Sequence, residues 1–243
     1  TSVDNVTQVA EIYANMQETA DSIMAKAQPT VLLSTASGMT GSEAADTLQG
    51  IQNQFNLTDD SAQHLTDTLE KLSANLKLEF KTGIQSMSAA IKASGSVANE
   101  AGLSFEQYAA MVGKVAEKTR LSGETIGAGF KTIFSRITRS NSDGESSDED
   151  ISKAETAFKS VGVAVRESSG EFRDLQDILN DLNGKWGSLT SVEKSYIAEQ
   201  AAGIRQKNIF LGLMSSFNDV TDLSTQAVNS NGFALEANTK RME

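Results

Sequence analysis

One histidine, His64, is the only imidazole among these 243 residues, and the chain has no cysteine. A metal site needs several ligands, and a nucleophilic triad needs a positioned base with an orienting acid. His64 lies within a helical pattern between Gln63 and Leu65 and has no evident partner for either task. It reads as a surface or boundary residue. Without cysteine, disulfides and thiolate metal sites are excluded. Glu100, Glu106, Glu117 and Glu193 offer carboxylates that could in principle act as a glycoside-cleaving pair. Most of them stand at helix starts or on polar faces, where capping and the helix dipole account for an acid. One tryptophan and three tyrosines supply few rings for a sugar cleft. The acidic stretch 140–150, SNSDGESSDED, invites a calcium reading. An EF-hand loop begun at Asn141 would place Asp143 and Glu145 correctly, but it puts Ser146 where glycine is needed and Ser152 where the bidentate glutamate is needed. Gly123-Glu-Thr-Ile-Gly127-Ala-Gly129 lacks the spacing of a phosphate-binding loop and opens a helix carrying Phe130, Ile133, Phe134 and Ile137. Small residues there let a second helix approach closely. No catalytic, cofactor-binding or metal-binding residue is assigned, no cofactor is expected, and the chain reads as a non-enzyme that works by assembly.

Composition supports this reading. The formal net charge is −11, a field that repels nucleic acid backbones and anionic membranes. Lys131, Arg136 and Arg139 share one short helix and read as a solvated face, so no specific nucleic acid is expected. Apolar residues make up 39% and aromatics 6%, below the roughly 45–50% apolar content of average domains. Such a thin core of small side chains suits packed helices. The longest apolar run, Ile209–Met214, falls far short of the roughly 20 residues of a bilayer span, and no signal peptide precedes the first helix. Thr1 in place of an initiating methionine reads as a fragment or a processed product.

The elements that would position these residues are helices. Val6, Val9, Tyr13, Met16, Ala20, Ile23 and Ala27 repeat at helical spacing. They predict one amphipathic helix of about seven turns that ends before Gln28-Pro29. Pro29 would then open the next helix at its first position. Thr40-Gly-Ser-Glu43, Ser104-Phe-Glu-Gln107 and Thr190-Ser-Val-Glu193 fit the capping box, while Thr58 and Ser122 look like simpler N-caps. Thr40 to Thr58 and Ser104 to Ser122 have the same spacing. Aligning the two stretches sets Ala45 on Ala109, Leu48 on Val112, Ile51 on Val115, Leu57 on Leu121 and Leu69 on Ile133. Two related helical hairpins result, joined by a helix from about Phe80 to Glu100 that Gly102 terminates in a left-handed conformation.

The stretch 140–150 carries no apolar residue and reads as a flexible acidic loop. A short helix follows over Ile151–Val161. Val163-Ala-Val-Arg166, Glu167-Ser-Ser-Gly170 and Glu171-Phe-Arg-Asp174 then read as strand, turn, strand, the one β-hairpin signal. Leu175, Ile178, Leu179, Leu182 and Trp186 return to helical spacing. Helices near 191–202, 204–217 and 219–228 and a helical tail after Gly232 complete the pattern. The expected fold class is all-α: a bundle of capped helical hairpins with one small β-hairpin near residues 163–174. Its parts are an N-terminal amphipathic helix (1–28), a helical-hairpin repeat region (29–139), the acidic loop (140–150) and a second helical subdomain with the hairpin (151–243).

The stretch from Gly38 to about Leu213 resembles the core region of tail tape measure proteins of tailed bacteriophages. Gly162-Val-Ala-Val-Arg166, then Gly170-Glu-Phe-Arg-Asp-Leu175, Ile178-Leu179 and Leu182, resemble that family's glycine-ended helix, small hairpin and Ile-Leu helix. Lys194-Ser-Tyr-Ile-Ala-Glu-Gln-Ala-Ala-Gly203-Ile-Arg205 is similar to its alanine-rich helix with an Ala-Gly-x-Arg ending. Ala101-Gly-Leu-Ser-Phe-Glu-Gln-Tyr-Ala109, the pair Gly127 and Gly129, and Thr132-Ile-Phe-Ser-Arg136 resemble its helical-hairpin core. The first helix matches only loosely.

The resemblance implies a structural protein that fills the lumen of the phage tail, sets tail length, scaffolds tail-tube polymerisation and leaves through the tube at DNA ejection. The partners it implies are the tail-tube protein, tail assembly chaperones and baseplate or tail-tip proteins. It also implies a homo-oligomer in the tail lumen, with the protein in the virion and, during assembly, in the host cytoplasm. The alternative is a DNA-ejection or host-envelope interaction module derived from such a protein; cationic amphipathic faces and liposome binding would mark it.

Overall fold

Side-chain caps set several of the helix starts. The computed structural model describes residues 3–138 and 148–242. Its helices are α1 (Val3–Asn15), α2 (Ala20–Ser37), α3 (Gly41–Gln54), α4 (Ala62–Ala74), α5 (Phe80–Glu100), α6 (Phe105–Thr119), α7 (Gly123–Thr138), α8 (Asp148–Ser160), α9 (Leu175–Trp186), α10 (Ser191–Met214), α11 (Phe217–Val228) and α12 (Phe233–Met242). Complete capping boxes stand at Thr40–Glu43, Ser104–Gln107 and Thr190–Glu193. Each satisfies two helix-end amides reciprocally. Ser122 accepts from the Thr125 amide at 3.3 Å. Thr58 does not cap: a 3-10 turn over Asp59–Ser61 follows it, and α4 begins only at Ala62.

The fold is all-α, with no strand among the described residues. The long first helix expected up to Gln28 breaks at Met16–Thr19. Gln17 takes a left-handed φ of 64°, and Thr19 caps α2 by accepting from the Ser22 amide. Pro29 therefore lies inside α2 rather than opening a helix, and the boundary expected at 28–29 falls mid-helix. Proline cannot donate to the carbonyl four residues back. The next carbonyl, that of Lys26, is taken by the Thr30 hydroxyl at 2.8 Å.

The β-hairpin expected over 163–174 reduces to one antiparallel bridge between Arg166 and Phe172, turned by Gly170 at a φ of 93°. The Glu167 amide donates to the Glu171 carbonyl and the Arg173 amide to the Val165 carbonyl, but the groups that would extend the ladder further are engaged elsewhere. The Val163 amide donates to the Phe158 carbonyl, and the Leu175 amide to the Ala101 carbonyl. The Arg173 guanidinium takes the Ala164 carbonyl. Asp148–Asp150, expected in the acidic loop, open α8. The rest of that loop, its calcium reading included, lies outside the described residues.

The paired helices pack mainly on α5 rather than on each other: α3, α4, α6 and α7 all lie against it, α7 most extensively. One continuous core runs from Leu33 to Ala227. At its centre Tyr108 meets Phe130 and Phe134 edge-on, with centroids 5.7 and 5.8 Å away. A separate small cluster of Val9, Tyr13, Ala27, Val31 and Ala45 holds α1.

Candidate functional site

Two segments that carry the family resemblance, in α7 and α10, lie far apart in sequence and meet where α7 packs against both α5 and α10. Gly123 and Gly127 line the face of α7 that touches α5. A β-carbon on Gly127 would sit 2.7 Å from the Ala90 carbonyl oxygen and 2.8 Å from the Ala93 β-carbon. On the other side, a β-carbon on Gly129 would fall 2.3 Å from the Ile209 side chain of α10. At Gly123 and Gly127 glycine is required because the α5 backbone approaches α7 this closely, whereas Gly129 meets the flexible side-chain ends of Ile209 and Gln206.

Both neighbours of α7 are bent, and each bend is held by a side chain from another helix. In α10, Gly203 adopts φ 71° and ψ 166°, a conformation that L side chains rarely reach. The break interrupts the regular helical backbone just after Ala202. The Arg136 guanidinium of α7 packs against Gly203 and donates from Nη1 to the Gln200 carbonyl at 3.4 Å. A cation at a helix C-terminus also meets the negative end of its dipole. In α5, Ser94 departs from helical geometry at φ −155° and ψ 16°. The buried Tyr108 hydroxyl shares a 2.6 Å hydrogen bond with the Ser94 hydroxyl and lies 3.4 Å from the Ala90 carbonyl. Burial pushes this phenol above its ordinary pKa against the Ser94 hydrogen bond, so it stays a neutral donor. Arg136 is thus a structural clamp rather than part of a solvated basic face, and Arg139 lies outside the described residues.

The resembling segment around Asp174 is tied to the same unit. The Leu175 amide donates to the Ala101 carbonyl at 3.0 Å, and a β-carbon on Gly102 would meet the Asp174 carboxylate at 2.5 Å. The start of α9 therefore docks on the turn that precedes α6.

The titratable residues weighed for chemistry are spread across the fold. Glu193 completes its capping box. Glu117 accepts from Lys114 and from the Lys77 amide, while Glu100 is exposed at the end of α5. His64 Nε2 lies 2.8 Å from Glu106 Oε1, and its Nδ1 lies 3.3 Å from Asn231 Oδ1. The Glu106 hydrogen bond holds the imidazole above its ordinary pKa, against its desolvation. Burial raises the Glu106 carboxyl, but the hydrogen bonds from His64 and Ser104 outweigh it and leave the group below the usual range. Among the described residues no group of three or more His, Cys, Asp or Glu side chains gathers as for a metal ion. No described helix is long and apolar enough to cross a membrane.

Two buried charge sites had no signal in the sequence. Asp67, 1% exposed, accepts from the Gly232 and Ala234 amides at 2.7 and 2.8 Å. It caps α12 from more than a hundred and fifty residues away. Lys26, 1% exposed, pairs with Glu18 at 2.8 Å and Asp59 at 3.3 Å and lies 4.8 Å from the Tyr13 ring centre. Both sit in helical patterns that read as solvated, because their partners come from distant segments.

Residues 1–203 match the family described as Phage-related minor tail protein. The chain belongs to this family. Its curated relatives carry the name tape measure protein. It is 27% identical over 209 residues to the Probable tape measure protein of Escherichia phage P2, covering 86% of this chain and 23% of that protein. It is 25% identical over 213 residues to the Tape measure protein of Pneumococcus phage Dp-1, covering 86% of this chain and 17% of that one. This minor tail protein chain thus spans less than a quarter of the length of either relative. No solved structure matches it. The family match includes α1, whose residues resemble the family only loosely, and it ends at Gly203, the bend that Arg136 clamps.

Proposed function

We propose that this chain is a folded module of a tail tape measure protein, which sets tail length and scaffolds tail-tube polymerisation from within the tail lumen. It acts without catalysis. The tail-tube protein, tail assembly chaperones and baseplate or tail-tip proteins are its partners, several copies assemble together in the lumen, and the protein leaves through the tube when DNA is ejected. It is made in the host cytoplasm and ends in the virion. The observation that supports this reading best is the family match over residues 1–203, together with the named relatives. The packing of α7 against α5 and α10 adds a physical reason for the α7 glycines that face α5 and for Arg136.

In-frame deletion of the sequence encoding this module, followed by electron microscopy of the assembled tails, tests the proposal. Shorter tails of uniform length are expected. Tails of unchanged length would overturn the measuring role.

A further inference from the structure

Helix α1 is built as a separable arm. Its apolar face forms a cluster with α2 and α3 that is distinct from the main core, and among the described residues none from α1 belongs to that core. Its substantial contacts are with α2 and α3 alone. The seat fits a helix closely: a β-carbon on Gly41 would stand 3.2 Å from Val9 Cγ2, and the buried Tyr13 hydroxyl shares a 2.7 Å hydrogen bond with Thr30. The pivot is short. Glu18 is anchored on the seat by Lys26 at 2.8 Å, by Ser22 at 2.6 Å and by Gln49 at 2.9 Å. Only Met16 and Gln17 are left between α1 and that anchor. Gln17 closes the reverse turn in the left-handed region at φ 64°, a conformation that costs a non-glycine residue free energy.

A seat already complementary to α1, a second apolar cluster and a strained two-residue pivot are the requirements for exchange of an element between identical copies. We propose that α1 exchanges between two copies of this chain, each arm occupying the α2–α3 seat of the other. Opening relieves Gln17, leaves the Glu18–Lys26 anchor intact within each copy, and remakes every α1 contact across a two-fold interface. The inference does not depend on the tape measure reading.

The absence of cysteine makes the test clean. Val9→Cys and Gly41→Cys are made in separate copies, which are mixed at high concentration and oxidised. In the seated arrangement a β-carbon at Gly41 would stand 3.2 Å from Val9 Cγ2, an atom one bond from the Val9 β-carbon, which brings the pair near the separation of about 3.5–4.5 Å between β-carbons that a disulfide spans. Exchange gives a reducible species of twice the 25.9 kDa chain mass only when both variants are present. Gln17→Pro, which cannot adopt a positive φ, drives the chain to that dimer. Gln17→Gly, which removes the strain, lowers the dimer fraction several-fold. Failure of the mixed variants to cross-link overturns the proposal, as does a folded Gln17→Pro chain that remains monomeric. Should Gln17→Pro fail to fold, the mixed cross-linking with the natural pivot decides alone.

Discussion

Replacing Gly127 by alanine adds one methyl group where α7 meets the α5 backbone. That carbon would lie 2.7 Å from the Ala90 carbonyl oxygen, 2.8 Å from the Ala93 β-carbon and 2.9 Å from the Ala90 α-carbon, whereas ordinary contact begins at 3.4 Å. Two of these atoms are backbone and cannot rotate away, so α5 and α7 must part by about half an ångström. A gap of that size forfeits roughly a quarter of the dispersion energy across the seam, and overpacking of this kind costs about 1–3 kcal/mol. The better helix propensity of alanine returns about 1 kcal/mol. The expected net loss is about 0–2 kcal/mol, or a fall in Tm of up to about 8 °C for a chain of this size. Gly50 is the internal control: it also lies within a helix, and nothing stands within 4 Å of where its methyl group would go. Gly50→Ala should raise stability by about 0.5–1 kcal/mol. Thermal and urea unfolding followed by circular dichroism measures both. If Gly127→Ala is stabilised as much as Gly50→Ala, the close approach of α5 and α7 is refuted.

Asp67→Ala should cost about 2 kcal/mol, since it strips two buried backbone amides of their acceptor. Hydrogen exchange should then speed up at Gly232 and Ala234 while α6 stays protected; unchanged exchange at those amides would refute the remote cap. Lys26→Met should destabilise by about 2 kcal/mol, less than the loss of a fully buried pair because Asp59 is half exposed; a neutral result in urea unfolding would refute the ion trio. The folded-state pKa of His64 is raised, so its pairing stabilises the fold fully below the ordinary value near about 6.5 and fades as pH rises through the raised value. That of Glu106 is lowered, so its share is present above the usual carboxylate value and is lost as pH falls through the lowered one. His64→Gln should therefore cost more stability near about pH 6 than near about pH 9. The single imidazole resonance in the NMR spectrum should titrate above about 6.5, and a midpoint below that value would contradict the Glu106 contact.

Helix positions are legible wherever local chemistry sets them. The boxes at Thr40, Ser104 and Thr190 act within one turn, so a four-residue pattern suffices to find them. Gly102 and Gly162 are marked in the same way by the helix ends they follow. The first helix reads as continuous because its apolar period runs unbroken through Met16, while the decision to turn rests on the Thr19 cap and on the Tyr13–Thr30 and Glu18–Lys26 contacts, which join residues eight to seventeen apart. The hairpin stays at one bridge for a related reason: alternation predicts strands, but beyond its two cross-strand bonds the Val163 and Leu175 amides and the Ala164 carbonyl are claimed by Phe158, Ala101 and Arg173. At the junction, the glycines of α7 could be read as a packing face. The clamp of Arg136 on Gly203 could not, since nothing local links residues on two helices. The same holds for Asp67, whose neighbours Thr66, Thr68 and Glu70 make its helix look solvated until α11 and α12 fold over it.

Tail length is the quantity that bears most directly on the measuring role. A chain of 243 residues drawn out as one helix would span on the order of 360 Å, whereas folded as a single module its radius of gyration is about 18 Å. Deleting it in frame and measuring tails by electron microscopy should shorten them by a fixed amount between the folded module's width and about 360 Å. The upper end of that range would show the module stretched in the tail, and the lower end would show it folded. Tails of wild-type length would contradict a role in measuring altogether.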